Sequence, residues 1–235
     1  MAPTTLHLRS ETKALEHRSA LTPTTTKALL NAGYEVHVER SPVRIFEDSE
    51  FETAGATLVP EGCWPSVAQD HIIVGLKELP EKDTFPLKHT HVQFAHCYKG
   101  QAGWDRVLAR FPRGGGTLLD LEFLAVNGRR VAAFGYHAGF AGAALAVQAW
   151  AWQLENGAGK KMPGVKPYRN EHDLLAHIKT CLTKGEQKSG QKPRALVIGI
   201  WCPNIQYHCK ILIRDRRSRQ MWPRSRRSVR EDWHS

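Results

Sequence analysis

Paired cysteines, long apolar runs and, past residue 199, glycine are all missing from this chain of 235 residues. Its five cysteines, Cys63, Cys97, Cys181, Cys202 and Cys209, are odd in number and scattered, with no C-x-x-C pair. Such a set supports neither a disulfide framework nor a structural zinc site, so no metal is expected and a reducing compartment fits best. The most apolar stretch, Ala138 to Trp152, is rich in Ala and Gly and carries Gln148. It is shorter than the ~20 residues that span a bilayer and reads as a buried helix, so no membrane association is expected. The amino terminus has no apolar run behind a basic start, which argues against a signal peptide. The hydrophobic fraction, 41%, is enough to bury a core.

The formal charge of +10 is a candidate nucleic-acid signal, but it is unevenly spread. From Cys209 to Ser235 nine Lys and Arg face three Asp and Glu, leaving only +4 for the preceding residues. After Ile213 that segment shows neither a strand nor a helix period, and its composition is foreign to the body of the chain.

The body alternates strand and helix signals. Strands are expected at Thr5–Leu8, Tyr34–Val38, Ala56–Val59, His71–Leu76, His91–Ala95, Thr117–Leu121 and Arg130–Phe134. Helices are expected from Thr22-Pro23 to Leu30, over Phe46–Ala54, Ala102–Arg110 and Ala138–Gln153, and over Glu171–Lys184 with Leu174, Leu175, Ile178 and Leu182 on one face. Thr22 and Pro23 supply an N-cap hydroxyl and a proline at the first helical position, and Gly33 follows the helix end. Alternation of this kind predicts an α/β fold with a parallel sheet covered on both faces.

In open parallel sheets ligands sit beyond the carboxyl ends of the strands. The residues there are charged: Arg9, Glu11, Lys13, Glu16 and Arg18 after the first strand, Lys77 and Glu78 after the apolar run, His96, Lys99 and Gln101 after the next, and Glu122 after Thr117–Leu121. A rim mixing lysines, a histidine and glutamates can tune its own proton affinities. A lysine must fall roughly 3 units from ~10.4 to act as a base at neutral pH, whereas histidine already titrates nearby. Arg9, Glu11 and Glu78 read as ordinary solvated loop charges. Lys77 taken alone reads equally as a loop lysine, and His96 equally as a core histidine.

The blocks LHLRSETKALEHRSALTPTTTKAL, IIVGLKELP, DTFPLKHTHVQFAHCYKGQAGW, LLDLEFL and GRRVAAFGYHAGFAGAALA closely resemble the fungal, NAD-dependent, L-lysine-forming saccharopine dehydrogenases. More distantly they resemble alanine dehydrogenase and the transhydrogenase α-subunit. The resemblance runs from about Thr4 to Gly199 and is strongest from Leu6 to Trp150. It implies an oxidoreductase that oxidises the secondary amine of saccharopine with NAD and hydrolyses the imine to L-lysine and 2-oxoglutarate, in the cytoplasmic α-aminoadipate route of lysine biosynthesis. By resemblance Lys77 is the base that takes the amine proton, and His96 is the acid–base group of imine hydrolysis. Lys13, Glu16, Lys99 and Glu122 set their proton affinities. Arg18, Gln101 and Phe134, with Lys77, contact saccharopine, and Arg129 reaches the dinucleotide.

The resemblance further implies two Rossmann-like domains, and here the second is interrupted. Ala195 to Gly199 reads as its opening strand, but Ile200-Trp201-Cys202-Pro203 follows where a glycine-rich turn belongs. The expected organisation is a complete substrate domain over 1–155, a linker and helix over 156–193, the first strand of a truncated NAD-binding domain over 194–200, and a basic, disordered tail over 201–235. A frame shift or retained intron accounts for such a tail, and the truncated chain is expected to be impaired. Two other functions compete. One is a non-catalytic polyanion- or RNA-binding module using the Arg-rich tail with Trp222 and Trp233, although no RNA-binding motif accompanies it. The other is a related alanine dehydrogenase.

Overall fold

A computed structural model describes residues 3–80, 82–133, 135–157 and 159–194, without the side chain of Lys99. The expected strand from Ala195, the tail and Phe134 lie outside the described residues. Two compact units divide between Ala133 and Phe134.

The first unit is built on six parallel strands: β1 Thr5–Leu8, β2 Glu35–Glu39, β3 Thr57–Val59, β4 Ile72–Val74, β5 Thr90–Gln93 and β6 Thr117–Asp120. They lie in the order β3-β2-β1-β4-β5-β6. All five pairings are parallel, and His7 stands opposite both His37 of β2 and Ile73 of β4. This is the strand order of a doubly wound Rossmann-like sheet, whose direction of winding reverses between β1 and β4.

The period of two explains how both faces are covered. One face presents Leu8, Val36, Val38 and Val74, which pack with Phe51, Leu29 and Leu30 from the helices α1 Pro23–Asn31 and α2 Asp48–Ala54. Thr22 caps α1 through a reciprocal pair with Thr25, and Gly33 follows it at φ 90°. The other face presents Ile73 and Leu118 to Trp64 and to Phe111 of α3, Trp104–Gly114. On that second face histidines take many of the alternate positions: His7, His37, His71, His89 and His91. Trp64 lies edge-on to His91 at 5.2 Å between ring centres, and Phe111 edge-on at 5.6 Å.

One expected strand is corrected. Arg130 belongs not to the sheet but to a two-strand hairpin, β7 Ala125–Val126 with β8 Arg129–Arg130. The turn is Asn127-Gly128, with φ 52° and 72°, the left-handed pair that a two-residue hairpin turn needs. That dipeptide was the available signal, and it outweighs the apolar run after Arg130.

The second unit pairs α4 Gly135–Asn156 with α5 Glu171–Ser189 through Ala144, Val147, Leu174, Ile178 and Leu182. Asn170 caps α5, its side chain accepting from Asp173 N at 2.9 Å. The expected helix at 138–153 is thus α4, extended at both ends, and it packs on α5 inside this unit. Among the described residues no helix is long and apolar enough to cross a membrane.

Close approach of α3 to the chain before β5 gives a stability prediction. A Cβ at Gly114 would collide with the backbone carbonyl of Leu87, an atom no side-chain rotation can move. Gly114→Ala is therefore expected to cost about 1–3 kcal/mol, the usual overpacking range, and to lower the melting temperature by several degrees. An unchanged melting curve would show that this packing is looser than described.

Candidate active site

The crevice of a sheet in this order opens beyond the carboxyl ends of β1 and β4. The loop after β1 there holds a buried charge pair. Arg9 and Glu11 are only 2% and 9% exposed, so the expectation of solvated loop charges is corrected. The reason is a set of bonds to the chain following β4. The Glu11 carboxylate accepts from the backbone N–H of Leu76 at 2.7 Å and of Lys77 at 3.1 Å. Arg9 donates to the carbonyl of Lys77 and, at 3.4 Å, to Gln93 Oε1, and it stands 3.5 Å from Glu11. Burial lowers the Arg9 pKa, and Glu11, Glu39 and Glu78 oppose that fall. Gly75 admits the guanidinium, since a Cβ there would collide with it. The N–H and C=O of Lys77 are thus both held by side chains from the neighbouring loop.

Glu78 is likewise more than a solvated charge, because it joins three loops. Its Oε1 accepts from Lys13 Nζ and its Oε2 lies 3.4 Å from His96 Nδ1. Burial alone would raise its pKa, but the Lys13 hydrogen bond, a backbone N–H and His96 hold the carboxyl below its ordinary value. His96 itself sits at φ 57°, in the left-handed region. For a residue with a Cβ that conformation costs on the order of 1–3 kcal/mol and concentrates at functional positions. It turns the imidazole toward Glu78 while the ring stacks on Phe94 at 6.0 Å.

Glu16 and Arg18 form a two-pronged pair at 2.7 and 2.6 Å, and Arg18 N also donates to Glu16 at 3.0 Å. Burial pushes the Glu16 carboxyl up, but Arg18 and then the charge of Lys77 bring it below its usual value. The bond to Glu16 raises Arg18 in turn. After β6, Glu122 accepts from Tyr98 Oη at 2.9 Å and pairs with Arg130 Nη1 at 2.9 Å. Tyr98 stands in the short 3-10 turn Cys97–Lys99 that follows His96, so it ties the end of β6 to the end of β5.

Lys13, Lys77, His96 and Glu122 thus follow β1, β4, β5 and β6, four consecutive strands of the sheet. Gln101 is exposed beyond Gly100, and Arg129 is exposed on the hairpin beside Arg130. Sequence reasoning missed Arg9, Glu11 and Glu78 as structural charges, Gln93 as a partner of Arg9, and Tyr98 and Arg130 as partners of Glu122. Gly75, set directly after an apolar run, was the one local sign of a close approach.

The first unit does not fit a dinucleotide at the turn where a Rossmann-like domain would hold one. The turn reads Arg9-Ser10-Glu11-Thr12, without glycine. The space beside it, bounded by Arg9, Glu11, Glu16, Arg18 and Arg44, is about 10 Å³, room for no more than a water. A larger cavity of about 400 Å³ lies in the second unit, between α4, α5 and residues 162–168, and includes none of the rim residues.

The family description "Alanine dehydrogenase/PNT, N-terminal domain" matches residues 7–141. Two fungal proteins named as the NAD(+), L-lysine-forming saccharopine dehydrogenase are similar over most of the chain. That of Neurospora crassa is 68% identical over 200 residues, 85% of this chain and 53% of the relative. That of Yarrowia lipolytica is 61% identical over 199 residues, 84% of this chain and 54% of the relative. The chain therefore spans about half the length of the curated relatives it matches. Among solved structures, an L-alanine dehydrogenase agrees with a TM-score of 0.51 at 20% identity over 77% of this chain and 52% of that one, a likeness of fold. The matched span takes in β2–β8, the second half of β1 and every rim residue described above, and the chain belongs to the alanine dehydrogenase/PNT family, whose N-terminal domain it carries.

Proposed function

We propose that this chain carries the substrate-binding and proton-handling part of an NAD-dependent, L-lysine-forming saccharopine dehydrogenase, a cytoplasmic enzyme of the α-aminoadipate route to lysine. The observation that carries this reading is the line Lys13–Glu78–His96, with the main chain of Lys77 clamped beside it by Arg9 and Glu11. The reaction needs a base and an acid–base group at one carbon–nitrogen bond, and a lysine and a histidine on adjoining loops supply both.

In the overall change saccharopine, NAD⁺ and water become L-lysine, 2-oxoglutarate, NADH and a proton. Lys77 takes the proton of the secondary amine. His96 takes a proton from the water that adds to the imine and returns one to the departing lysine nitrogen. Glu78 holds the imidazole in place and shares its charge with Lys13. Lys13, Glu16, Lys99 and Glu122 set the proton affinities of the pair. Arg18 binds a substrate carboxylate, Gln101 and Phe134 complete the contacts, and Arg129 reaches the dinucleotide. NAD supplies the hydride acceptor, and its pyrophosphate cradle is not among the described residues.

The test joins residues 1–199 to the second half of the Neurospora crassa relative and follows NADH formation. Turnover is expected with saccharopine and not with L-alanine, and a polypeptide of these 235 residues alone is expected to give none. Turnover with L-alanine only would favour an alanine dehydrogenase. A chimera that melts cooperatively yet uses neither substrate would contradict the proposal.

A further inference from the structure

We propose that His7, His37 and His71 form a binding site for a divalent cation of the zinc class, on the second face of the sheet and before the strand ends that carry the rim. The three rings come from β1, from β2 and from the residue preceding β4, and one nitrogen of each lies within 4.8 Å of the others. Their meeting follows from the register. His7 is paired with His37 across β1 and β2, and Ile72 is paired with Leu6, which puts His71 on the same face as both. Ring centres of His37 and His71 are 5.4 Å apart, and each stands 6.3 Å from that of His7.

The group behind His7 is what a metal ligand requires. Its Nε2 faces Glu39 Oε1 at 3.2 Å, and Glu39 is fully buried. The Glu39 oxygens also accept from Trp64 N and Ser10 N at 2.8 Å and from Gly62 N at 3.0 Å. Those four bonds use up the carboxylate, so it acts as an acceptor for His7 Nε2–H and not as a ligand. The lone pair of His7 is thereby directed to Nδ1, which is buried and, among the described residues, has no hydrogen-bond partner; the same holds for Nδ1 of His71. A carboxylate that fixes the tautomer of a ligating histidine is the usual outer shell of zinc sites. Cys63 Sγ approaches the same His7 Nε2 at 4.0 Å, but only the nitrogen already engaged by Glu39.

Nitrogens bound at 2.0–2.1 Å in a tetrahedron stand about 3.3 Å apart, so the rings must draw inward to close on an ion. His37 and His71 are half-buried, whereas His7 is fully buried and held by Glu39. Three neutral imidazoles with a fourth position for water suit Zn²⁺, Co²⁺ or Ni²⁺. Because the ligands stand on three separated segments, no sequence spacing announces them, and cysteine spacing leads to the opposite expectation.

The experiment titrates the full chain, freed of metal by a chelator, with Co²⁺ and reads the visible d–d absorption. One equivalent is expected to bind, with affinity reduced at least tenfold in His37→Ala and in His71→Ala and unchanged in Cys63→Ser. Zn²⁺ should displace the Co²⁺ and raise the melting temperature of the parent but not of His71→Ala. Absence of a stoichiometric band, or a band unaltered in both histidine variants, overturns the proposal. So does loss of binding in Cys63→Ser together with a near-ultraviolet thiolate band in the parent, which would assign the ion to Cys63 and Glu39 instead.

Discussion

Lys77→Met, in residues 1–199 joined to the second half of the Neurospora crassa relative, is expected to lower kcat for saccharopine oxidation by about a hundred- to ten-thousand-fold. That is the range in which a positioned acid or base contributes. Methionine keeps most of the length and the apolar stem of the lysine but removes the nitrogen. The backbone at residue 77 is held by Arg9 and Glu11 through its own N–H and C=O, so the side chain can change without releasing the loop. KM for saccharopine should move by less than about threefold and the melting temperature by a degree or two. Steady-state kinetics with a parallel thermal melt checks all three. A kcat within threefold of the parent would remove Lys77 from the chemistry.

The second large effect is on acid stability. Burial above all, and then the positive charges of Arg9, His89 and Arg110, lower the pKa of His91 to about 3. In the unfolded chain a histidine titrates near 6.5. The folded state thus excludes a proton that the unfolded state accepts. Its contribution is fully present above about pH 6.5 and is lost as pH falls from there toward 3. At ~1.4 kcal/mol per unit, His91 alone removes about 2–3 kcal/mol between pH 6.5 and 4.5. Burial lowers His37 and His89 as well, in the same direction. Glu16, Glu39 and Glu78, all held below their ordinary values, lose their contribution only at lower pH, so this window reports the histidines. His91→Leu should flatten the pH dependence there. It should also be neutral or stabilising by about 1 kcal/mol at pH 7.5, since both His91 nitrogens are buried and find no hydrogen-bond partner among the described residues. Denaturant unfolding of parent and variant at pH 7.5, 6 and 4.5 measures it, and parallel losses in the two proteins would contradict the assignment.

Much of the scaffold was legible because its signals are local. The runs Leu6-His7-Leu8, Val36-His37-Val38 and Ile72-Ile73-Val74 declare strands, Thr22-Pro23 declares a helix start, and charges just past the strands mark the rim. What escaped depends on contacts between distant segments. Arg9 and Glu11 look like any loop pair until β4 is laid beside β1, which buries them against Lys77. The histidines of the second face look like polar residues alternating with apolar ones, and only the register brings them onto one face, with His7, His89 and His91 buried and His37 and His71 half-buried. Asn127-Gly128 was a local signal of a hairpin, and there the apolar residues after Arg130 pointed the wrong way.

In the reading proposed above, the loops after β1, β4 and β5 form the saccharopine site. Its most direct test is a titration of the isotope-labelled 235-residue chain with saccharopine, followed by backbone amide and imidazole chemical shifts. The expected result is saturable shifts centred on Lys13, Lys77, Glu78 and His96, weakened by Arg18→Ala, with the α4–α5 residues around Tyr168 unmoved. Shifts confined to Tyr168, His177 and their neighbours in the second unit, or no saturable shifts at the rim, would contradict it.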